Sequence, residues 1–499
     1  MSRWGIFFNL VIIIFFSGCA FVPDDFADVP DNITDTPVVL AEDGERNFFV
    51  HRGGFDENFG SREDTFATIQ RGIDAASFAG GGNVYVAGGI YKEIVVLRSR
   101  VNVYGGFNST NWERDLRRFP STIEGDLLNG VAITVIAEDI ASAIFNGFTL
   151  ISPDTEKNNE LVPMGNPSIG MLINNGQVLE ISNNIFISGN AAAGRPGAVG
   201  QAGSAEPPSG LAGADAEGCD TTALGGGGGS ALGFTDGGKG GDGRLDEGVN
   251  GSPGANTLLN NGSVIPGGGG GNGGLVETDG ENGLPGAIGL DGVHGLGGLS
   301  FQAGVRGQDG SNGGGGGGGG SGGGSLGVTC GAAGGGGGSG GQGGQGGLGG
   351  NVGGSAFGII VVLNSDVEIL NNMLVPGAGG VGGDGGAGGQ GGVGGEGGLG
   401  GIGFETQGAG GGGGSGGTGG VGGHGGGGAG GWSIGIYHDI SSRVMMTDNA
   451  FFLGVPGLGG LAPEGGNLGE PGQQVEMYQP QLDEALILLS VPVKQGILE

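Results

Sequence analysis

The sequence predicts an all-β protein built as a parallel β-helix, a solenoid with an N-terminal cap helix and glycine-rich, polyglycine-II-like insertions. Three observations support this prediction. One frame of glycine and asparagine residues occurs three times, short β-rich runs follow one another between residues 83 and 151, and long glycine tracts separate the copies of the frame. Short repeats whose apolar faces can be buried only by stacking on one another are typical of solenoids.

The frame is a Gly, thirteen residues, an Asn, four residues and a second Gly. Its three copies are Gly170/Asn184/Gly189, Gly358/Asn372/Gly377 and Gly435/Asn449/Gly454. Two positions before the frame Asn are apolar in all three copies and lie two residues apart, which predicts a strand. They are Leu179/Val367/Val444 and Ile181/Ile369/Met446, and a third apolar position, Phe186/Leu374/Phe451, lies just past the Asn. The residue before each frame Asn is also Asn or Asp (Asn183, Asn371 and Asp448). Such pairs suit a tight bend with stacked side-chain amides. Each copy is therefore predicted to be one coil.

The residues before the first copy predict a short helix and then several strands. Asp64 or Thr65 can cap a helix whose apolar face holds Phe66, Ile69 and Ile73, and glycines 80–82 end it. Strands are expected at 83–89, 93–97, 101–107, 121–125, 132–136 and 143–151. Because no useful helices lie between them, a doubly wound sheet is excluded. A solenoid or a sandwich remains, and the repeated frame favours the solenoid.

A family resemblance points the same way. The run from FFVHRGGFD through TFATIQRG and NVYVAGGIY to VNVYGGF and WERD resembles the opening of right-handed parallel β-helix proteins of the pectin-lyase-like kind, found in many bacterial surface proteins. The resemblance covers about residues 48–125. It implies the fold and a cap helix, and it implies no activity.

The first residues predict export with a lipid anchor. Arg3 precedes the apolar run 6–16, which is too short to span a bilayer, and Phe16-Ser17-Gly18-Cys19 follows. This resembles a bacterial lipobox, whose Cys19 is acylated, although Phe16 departs from the usual Leu. An ordinary signal peptide with an incidental Cys is the alternative. Ala20 in place of Asp favours the outer membrane or cell surface.

Glycine makes up 136 of the 499 residues and is concentrated in tracts that begin after the frame's second Gly. After Gly377 the tract reads Gly-Gly-X, with X at 378, 381, 384 and onward to 402. A three-residue period fits a polyproline-II-type helix, and the shared starting corner predicts one slab of adjacent tracts. A disordered linker stays open as the alternative, because ordering glycine is costly in entropy. Cys219 and Cys330 both lie in the first tract and are predicted to form a disulfide.

These patterns divide the chain into eight parts. They are a signal peptide (1–18), an acidic tether (19–47), the cap and first coils (48–189), a glycine-rich insertion (190–354), a coil (355–376), a second insertion (377–431), a third coil (432–454), and a glycine-rich loop with the C-terminal segment (455–499).

Charge and motifs limit the function. A net charge of −32 without a basic stripe disfavours nucleic acid, so the expected partners are the membrane, through the lipid, and extracellular glycans or proteins. No cofactor is predicted, and Ca²⁺ at acidic loops is a weak alternative. No catalytic constellation appears: His424 lies at an X position of a Gly-Gly-X run, and the sequence from Gly237 to Asp242 fits only the first part of a calcium nonapeptide. The prediction is a non-enzymatic surface protein with a structural or adhesive role. A polysaccharide lyase or hydrolase is the alternative, and ice binding is a more remote one.

Overall fold

The computed structural model describes residues 46–155, 164–216, 222–243, 247–259, 261, 263–275, 278, 280–284, 287, 301–324 and 330–480. The predicted signal peptide with Cys19, all but the last two residues of the tether, and Cys219 lie outside these ranges. Within them the protein is nearly all-β, with one α-helix and three large sheets. The strands of these sheets pair in parallel, apart from β7 (Asp126–Leu128), which pairs antiparallel with its neighbour. This agrees with the expected all-β class and is consistent with a β-helix-like fold.

Each large sheet is a stack of strands that follow one another in chain order. Sheet 1 contains β1 (Asn47–Val50), β2 (Gly82–Ala87), β5 (Val101–Phe107), β9 (Ser142–Asn146), β12 (Val178–Ser182), β17 (Asp366–Leu370) and β20 (Arg443–Thr447). Sheet 2 contains β3 (Gly89–Lys92), β6 (Ser121–Glu124), β10 (Phe148–Ile151), β13 (Ile185–Ile187), β18 (Met373–Val375) and β21 (Ala450–Phe451). Sheet 3 contains β4 (Val95–Val96), β8 (Val131–Glu138), β11 (Ser168–Asn174), β16 (Ala356–Val362), β19 (Ser433–His438) and β22 (Gln474–Tyr478). A separate antiparallel pair joins β14 (Thr257–Leu258) and β15 (Val264–Ile265).

The chain visits the three sheets in rotation. It passes from sheet 3 to sheet 1 to sheet 2 through β11, β12 and β13, and repeats this order through β16, β17 and β18 and then β19, β20 and β21. Each pass pairs in register with the one before: Ile181 lies opposite Ile369, and Ile369 opposite Met446. The intervening glycine tracts therefore do not shift the register that the frame predicts.

The main core lies between the three sheets. It is an apolar stack in which the inward side chains of successive passes contact one another, including Val103, Phe145, Ile181, Ile369 and Leu374, all 0% exposed. Because successive strand residues point to opposite faces, one inward row per strand is enough to build this stack.

The single helix α1 (Ile69–Phe78) packs on the first strands, where Ile69 and Ile73 join the core. Its N-cap is Thr68, whose hydroxyl accepts from the backbone N–H of Arg71. The expected cap at Asp64 or Thr65 is therefore wrong, because Phe66 is extended and exchanges backbone hydrogen bonds with β1. The expected strand 143–151 is likewise divided, since Gly147 has a φ of +85° and turns the chain between β9 and β10.

Candidate interaction surface

The bend between sheets 1 and 2 carries a ladder of asparagine side chains. The Oδ1 atom of Asn372 accepts from the backbone N–H of Asn184 at 2.9 Å, and that of Asn449 accepts from Asn372 at 2.9 Å. The residue before each Asn has a left-handed backbone: φ is +56° at Asn183, +53° at Asn371 and +53° at Asp448. Only residues that tolerate αL suit this position, which explains the Asn or Asp there.

The second Gly of each frame stacks on its counterpart in the next pass. A Cβ at Gly377 would overlap the carbonyl oxygen of Gly189, and a Cβ at Gly454 would overlap that of Gly377. Each glycine tract leaves at this corner and returns to sheet 3, where β16, β19 and β22 begin. The two ends of each tract are hydrogen-bonded to each other at the base, as Gly354 to Ala192, Gly431 to Gly380 and Gly472 to Gly457, all 2.8 Å. The tracts thus depart side by side.

Within the tracts, every third backbone N–H donates to the same neighbouring segment. The amides of Gly380, Gly383, Gly386 and Gly389 donate to the carbonyls of Gly354, Asn351, Leu348 and Gln345 at 2.7 to 2.8 Å. This three-residue period is that of a polyproline-II-type helix, which has no internal hydrogen bonds and leaves its backbone groups for neighbours. Of the two alternatives that the sequence left open, the described glycine residues favour order. We call this set of segments, the described residues of 191–354, 377–431 and 454–473, the glycine bundle.

Three segments form the centre of the glycine bundle: 304–322, 331–354 and 408–431. Each is hydrogen-bonded to its two central partners and to outer segments around them. Among the described residues, the segment 331–354 has six such neighbours in the glycine bundle, at 192–214, 226–229, 235–241, 304–322, 380–401 and 408–429. Where a chain is hydrogen-bonded on all sides there is little room for side chains, and the non-glycine residues that are 0% exposed in this region are small: Ser321, Ala332, Ala333 and Ser339.

The outer segments direct their non-glycine side chains to solvent. On segment 378–402 these include Val381, Val393, Leu399 and Ile402, with Leu399 78% and Ile402 71% exposed. Segments 193–216 and 455–461 flank it in parallel, because Gly194 donates to the carbonyl of Val381 and Gly382 to that of Leu458. Their exposed apolar residues are Val199, Leu211, Val455, Leu458 and Leu461. We call the exposed side chains of these three segments the outer face.

Carboxylates and amides lie among the apolar residues of the outer face. Asp384, Gln390 and Glu396 occupy X positions of the same segment as Val381 and Leu399, and all three are exposed. The Oδ1 atom of Asp384 accepts from the backbone N–H of Leu461 at 2.8 Å, which fixes the adjacent segment beside it. The outer face is therefore a firmly held surface of alternating aliphatic and acidic groups.

No protein-family model matches this chain, and no curated protein matches it in sequence. Among solved structures, a rhamnogalacturonan lyase matches with 11% sequence identity and a TM-score of 0.17. The match covers 30% of this chain and 42% of the length of that lyase. A likeness this weak carries no argument about activity.

The candidate catalytic and metal-binding residues have structural partners. His424 lies in the glycine bundle, and its Nδ1 atom accepts from the backbone N–H of Gly388 at 2.9 Å. The Oδ1 atom of Asp242 accepts a hydrogen bond from the ammonium group of Lys239 at 2.8 Å and one from the backbone N–H of Gly225 at 2.7 Å. Among the described residues no group of three or more His, Cys, Asp or Glu side chains is placed to hold a metal ion.

Cys330 is disulfide-bonded. It lies at the start of the central segment 331–354. Because Cys219 lies outside the described residues, the pairing of these two cysteines stays a prediction. The same holds for acylation of Cys19. Within the described ranges, no helix is long and apolar enough to cross a membrane.

The ring contacts that fix the start of one central segment were not predicted from the sequence. The ring of Phe301, just before the central segment 304–322, lies 4.5 Å from the ring of Trp432, which precedes β19, and 5.7 Å from that of Tyr478 on β22, measured between centroids. Phe301 belongs to no repeated pattern in its glycine tract, so periodicity could not assign it a partner.

Proposed function

We propose that this protein is a lipid-anchored cell-surface protein that binds other surfaces or molecules through the outer face of its glycine bundle. In this proposal the three sheets form a closed parallel β-helix that serves as the base. Polyglycine-II-type insertions project from one corner of it, and acylated Cys19 holds the whole on the outer membrane. The protein acts by adhesion, and it is not an enzyme.

The rotation of the chain through three sheets supports the β-helix. Each pass adds one strand to every sheet and buries an inward row on the row before, as in Ile181, Ile369 and Met446. Such stacking makes a rigid rod from short repeats. A rod of this kind is suited to holding another structure away from a membrane.

The single observation that carries the adhesive role is the set of large aliphatic side chains on the outer face. Leu399, Ile402, Leu458 and Val199 are each at least 68% exposed, on segments hydrogen-bonded to one another. Exposed apolar groups gathered on one face of a soluble protein mark interaction sites. Because the backbone is already ordered, binding there costs little further conformational entropy.

The acidic residues define the kind of partner. Asp384 and Glu396 lie between aliphatic neighbours on the same segment. An apolar surface or protein that carries positive charge complements this pattern, whereas nucleic acid is repelled by it.

Two measurements test the proposal. The chain is displayed on bacteria through its own N-terminal segment, and retention of the cells is measured on methyl-terminated and hydroxyl-terminated glass. The double variant Leu399→Ser/Ile402→Ser should lower retention on the methyl-terminated glass several-fold. The matched control Gln390→Ser, exposed on the same segment, should leave retention unchanged. Cys19→Ala should abolish both acylation of the protein and its retention on the cells.

The contrary outcomes are equally definite. Full retention of the double variant would remove the outer face as the binding surface. Acyl labelling that persists in Cys19→Ala would overturn the lipid anchor. The enzymatic alternative is decided by incubating the purified protein with polygalacturonate: ultraviolet absorbance of unsaturated products would establish a lyase.

A further inference from the structure

The end of the strand stack that contains β1 and α1 carries three exposed phenylalanines. They are Phe55 and Phe59, in the loop 51–66 after β1, and Phe78, the last residue of α1, and they are 67%, 87% and 97% exposed. The rings of Phe49 and Phe66 in the same stretch are buried, at 6% and 1% exposure. The core of this end therefore uses other rings, and large apolar groups gathered at a surface mark an interaction site.

The loop that carries Phe55 and Phe59 is held in place by its own hydrogen bonds. The backbone N–H of Phe55 donates to the carbonyl of Thr65 at 3.1 Å, and that of Gly60 donates to the carbonyl of Asp64 at 2.9 Å. The two rings thus project from an ordered backbone. Binding through them costs little further backbone entropy.

Arg71 connects the loop to the outer face of α1. It lies on the same face of the helix as Phe78, two helical turns away, and opposite the buried Ile69 and Ile73. Its Nε atom donates to the carbonyl of Asp56 at 2.9 Å, which places the neighbouring Phe55 beside the start of that face.

Phe59 is joined to the same surface through a buried ring. The guanidinium of Arg71 lies 4.9 Å from the ring centroid of Phe66. A Cβ at Gly60, the residue after Phe59, would overlap this ring, so the loop rests directly on it. Phe55, Phe59 and Phe78 therefore surround Arg71 on one surface.

The charges of this surface are balanced, unlike those of the chain as a whole. Its loop and helix expose three arginines and three carboxylates, which are Arg52, Arg62, Arg71, Glu57, Glu63 and Asp74. We call these side chains with Phe55, Phe59 and Phe78 the cap face. Guanidinium groups match phosphate in geometry, and a balanced surface is not repelled by anionic headgroups as the acidic outer face is.

The chain segment that contains Cys19 joins the stack at this end. Arg46 directly precedes β1, and a Cβ at Gly80 would lie 2.9 Å from its Nη1 atom, so the chain enters beside the end of α1 and Phe78. Residues 20–45 join Cys19 to Arg46, and a chain of that length spans at most about 90 Å. Acylation of Cys19 confines the cap face to the neighbourhood of a bilayer, where a weak contact is sufficient.

We propose that the cap face docks on the lipid bilayer that anchors Cys19. The rings of Phe55, Phe59 and Phe78 enter the boundary between headgroups and acyl chains, and the arginines contact lipid phosphates. This inference rests on the lipid anchor of the proposed function. Because the glycine tracts leave later passes of the stack, docking by its first end directs the glycine bundle away from the membrane.

The test measures the depth of a nitroxide spin label on the acylated protein in vesicles of phosphatidylethanolamine and phosphatidylglycerol. The label is attached to Ser61→Cys, on the cap face loop, or to Gln390→Cys, on the outer face. Electron paramagnetic resonance gives the collision rate of each label with a water-soluble nickel complex. We expect this rate to be about fivefold lower at position 61 than at position 390.

A matched pair of triple variants shows which side chains protect the label at position 61. Phe55→Ser/Phe59→Ser/Phe78→Ser should raise its collision rate to that at position 390. Leu399→Ser/Ile402→Ser/Leu458→Ser removes three apolar side chains of similar exposure from the outer face and should leave the rate low. Circular dichroism shows that each variant keeps its β-type spectrum.

Each contrary result has its own meaning. Equal rates at positions 61 and 390 on an acylated protein would overturn the docking and leave the lipid anchor in place. A low rate that survives the triple phenylalanine change would remove these rings as the contact. A rate that rises when the protein is diluted with lipid would assign the cap face to a second copy. A purified chain without an acyl group would overturn the anchor and this inference together.

Discussion

At the residue scale, glycine and asparagine each occur at the bends for a specific steric or hydrogen-bonding reason. The frame Asn could be predicted as a ladder because its spacing is fixed and its side chain can both donate and accept. The bundle glycines could be predicted to share a period of three, since periodicity is visible in sequence. Which of them have no space for a Cβ could not be predicted. Gly335 and Gly412 both lie in Gly-rich sequence, and only the packing of distant segments distinguishes them.

That distinction gives a prediction. A Cβ at Gly335 would overlap the carbonyl oxygen of Gly398, whereas the nearest atoms to a Cβ at Gly412 are 3.6 Å away. Neither residue has a left-handed backbone. Gly335→Ala should therefore lower the free energy of unfolding by about 1–3 kcal/mol, the usual cost of overpacking a backbone that cannot yield.

Gly412→Ala is the matched control, and it should be neutral or slightly stabilising because alanine restricts the unfolded chain. Urea unfolding followed by circular dichroism measures both. Equal effects of the two substitutions would mean that the backbone around Gly335 is not closely packed.

At the element scale, the cap helix α1 is held by two carboxylates that the sequence did not identify. Glu93 accepts from the backbone N–H groups of Ile69 and Gln70, both at 2.9 Å. Asp56 accepts from those of Ala67 and Thr68, both at 2.9 Å. The helix itself was predictable from the spacing of Ile69 and Ile73. The start of the helix was not predictable, because Glu93 and Asp56, which hold the backbone N–H groups around Thr68, are distant in sequence.

Burial raises the pKa of the Glu93 carboxyl above its ordinary value, with Asp56 adding to this effect and the two N–H donors opposing it. The folded protein therefore holds the Glu93 proton more tightly than the unfolded chain. Where the pKa is raised on folding, stability falls as pH rises from the ordinary glutamate pKa through the raised one.

Glu93→Gln should remove this fall. The change in unfolding midpoint between acidic and neutral pH should be smaller in Glu93→Gln than in the native protein, measured by urea unfolding at several pH values. Because Gln alters the capping contacts, the slope with pH is the informative quantity. The exposed Glu368→Gln should keep the native slope, and identical slopes in all three proteins would contradict the prediction.

At the scale of the whole molecule, the protein combines two kinds of order. The strand stack is held by buried aliphatic side chains, and the glycine bundle is held by backbone hydrogen bonds between segments that have almost no side chains in the centre. The repeated frame predicted the strand stack, because inward apolar and outward side chains alternate along each strand and this alternation is visible in the sequence. The bundle was open to either order or disorder from sequence, since its contacts join residues as distant as Gly194 and Val381. Only the assembled chain shows which segments lie beside one another.

The central claim is that the strand stack is the base and that the glycine bundle is inserted into it. The two ends of each tract meet at the base, where Gly354 bonds to Ala192, Gly431 to Gly380 and Gly472 to Gly457. Short Asn-Gly turns can therefore replace residues 193–353, 381–430 and 458–471 without moving a strand. The entropic cost of closing a loop changes only slowly with the length of the loop. The joined strands should therefore lose little stability from the excision itself.

The measurement is thermal unfolding of this shortened chain followed by circular dichroism. The full-length variant Phe301→Ala is the control for the loss of the ring contact on Trp432. We expect a β-type spectrum and one cooperative transition, with a midpoint lowered about as much as in Phe301→Ala. A shortened chain without cooperative unfolding, beside a cooperative Phe301→Ala, would show that the glycine bundle is the core on which the strands depend.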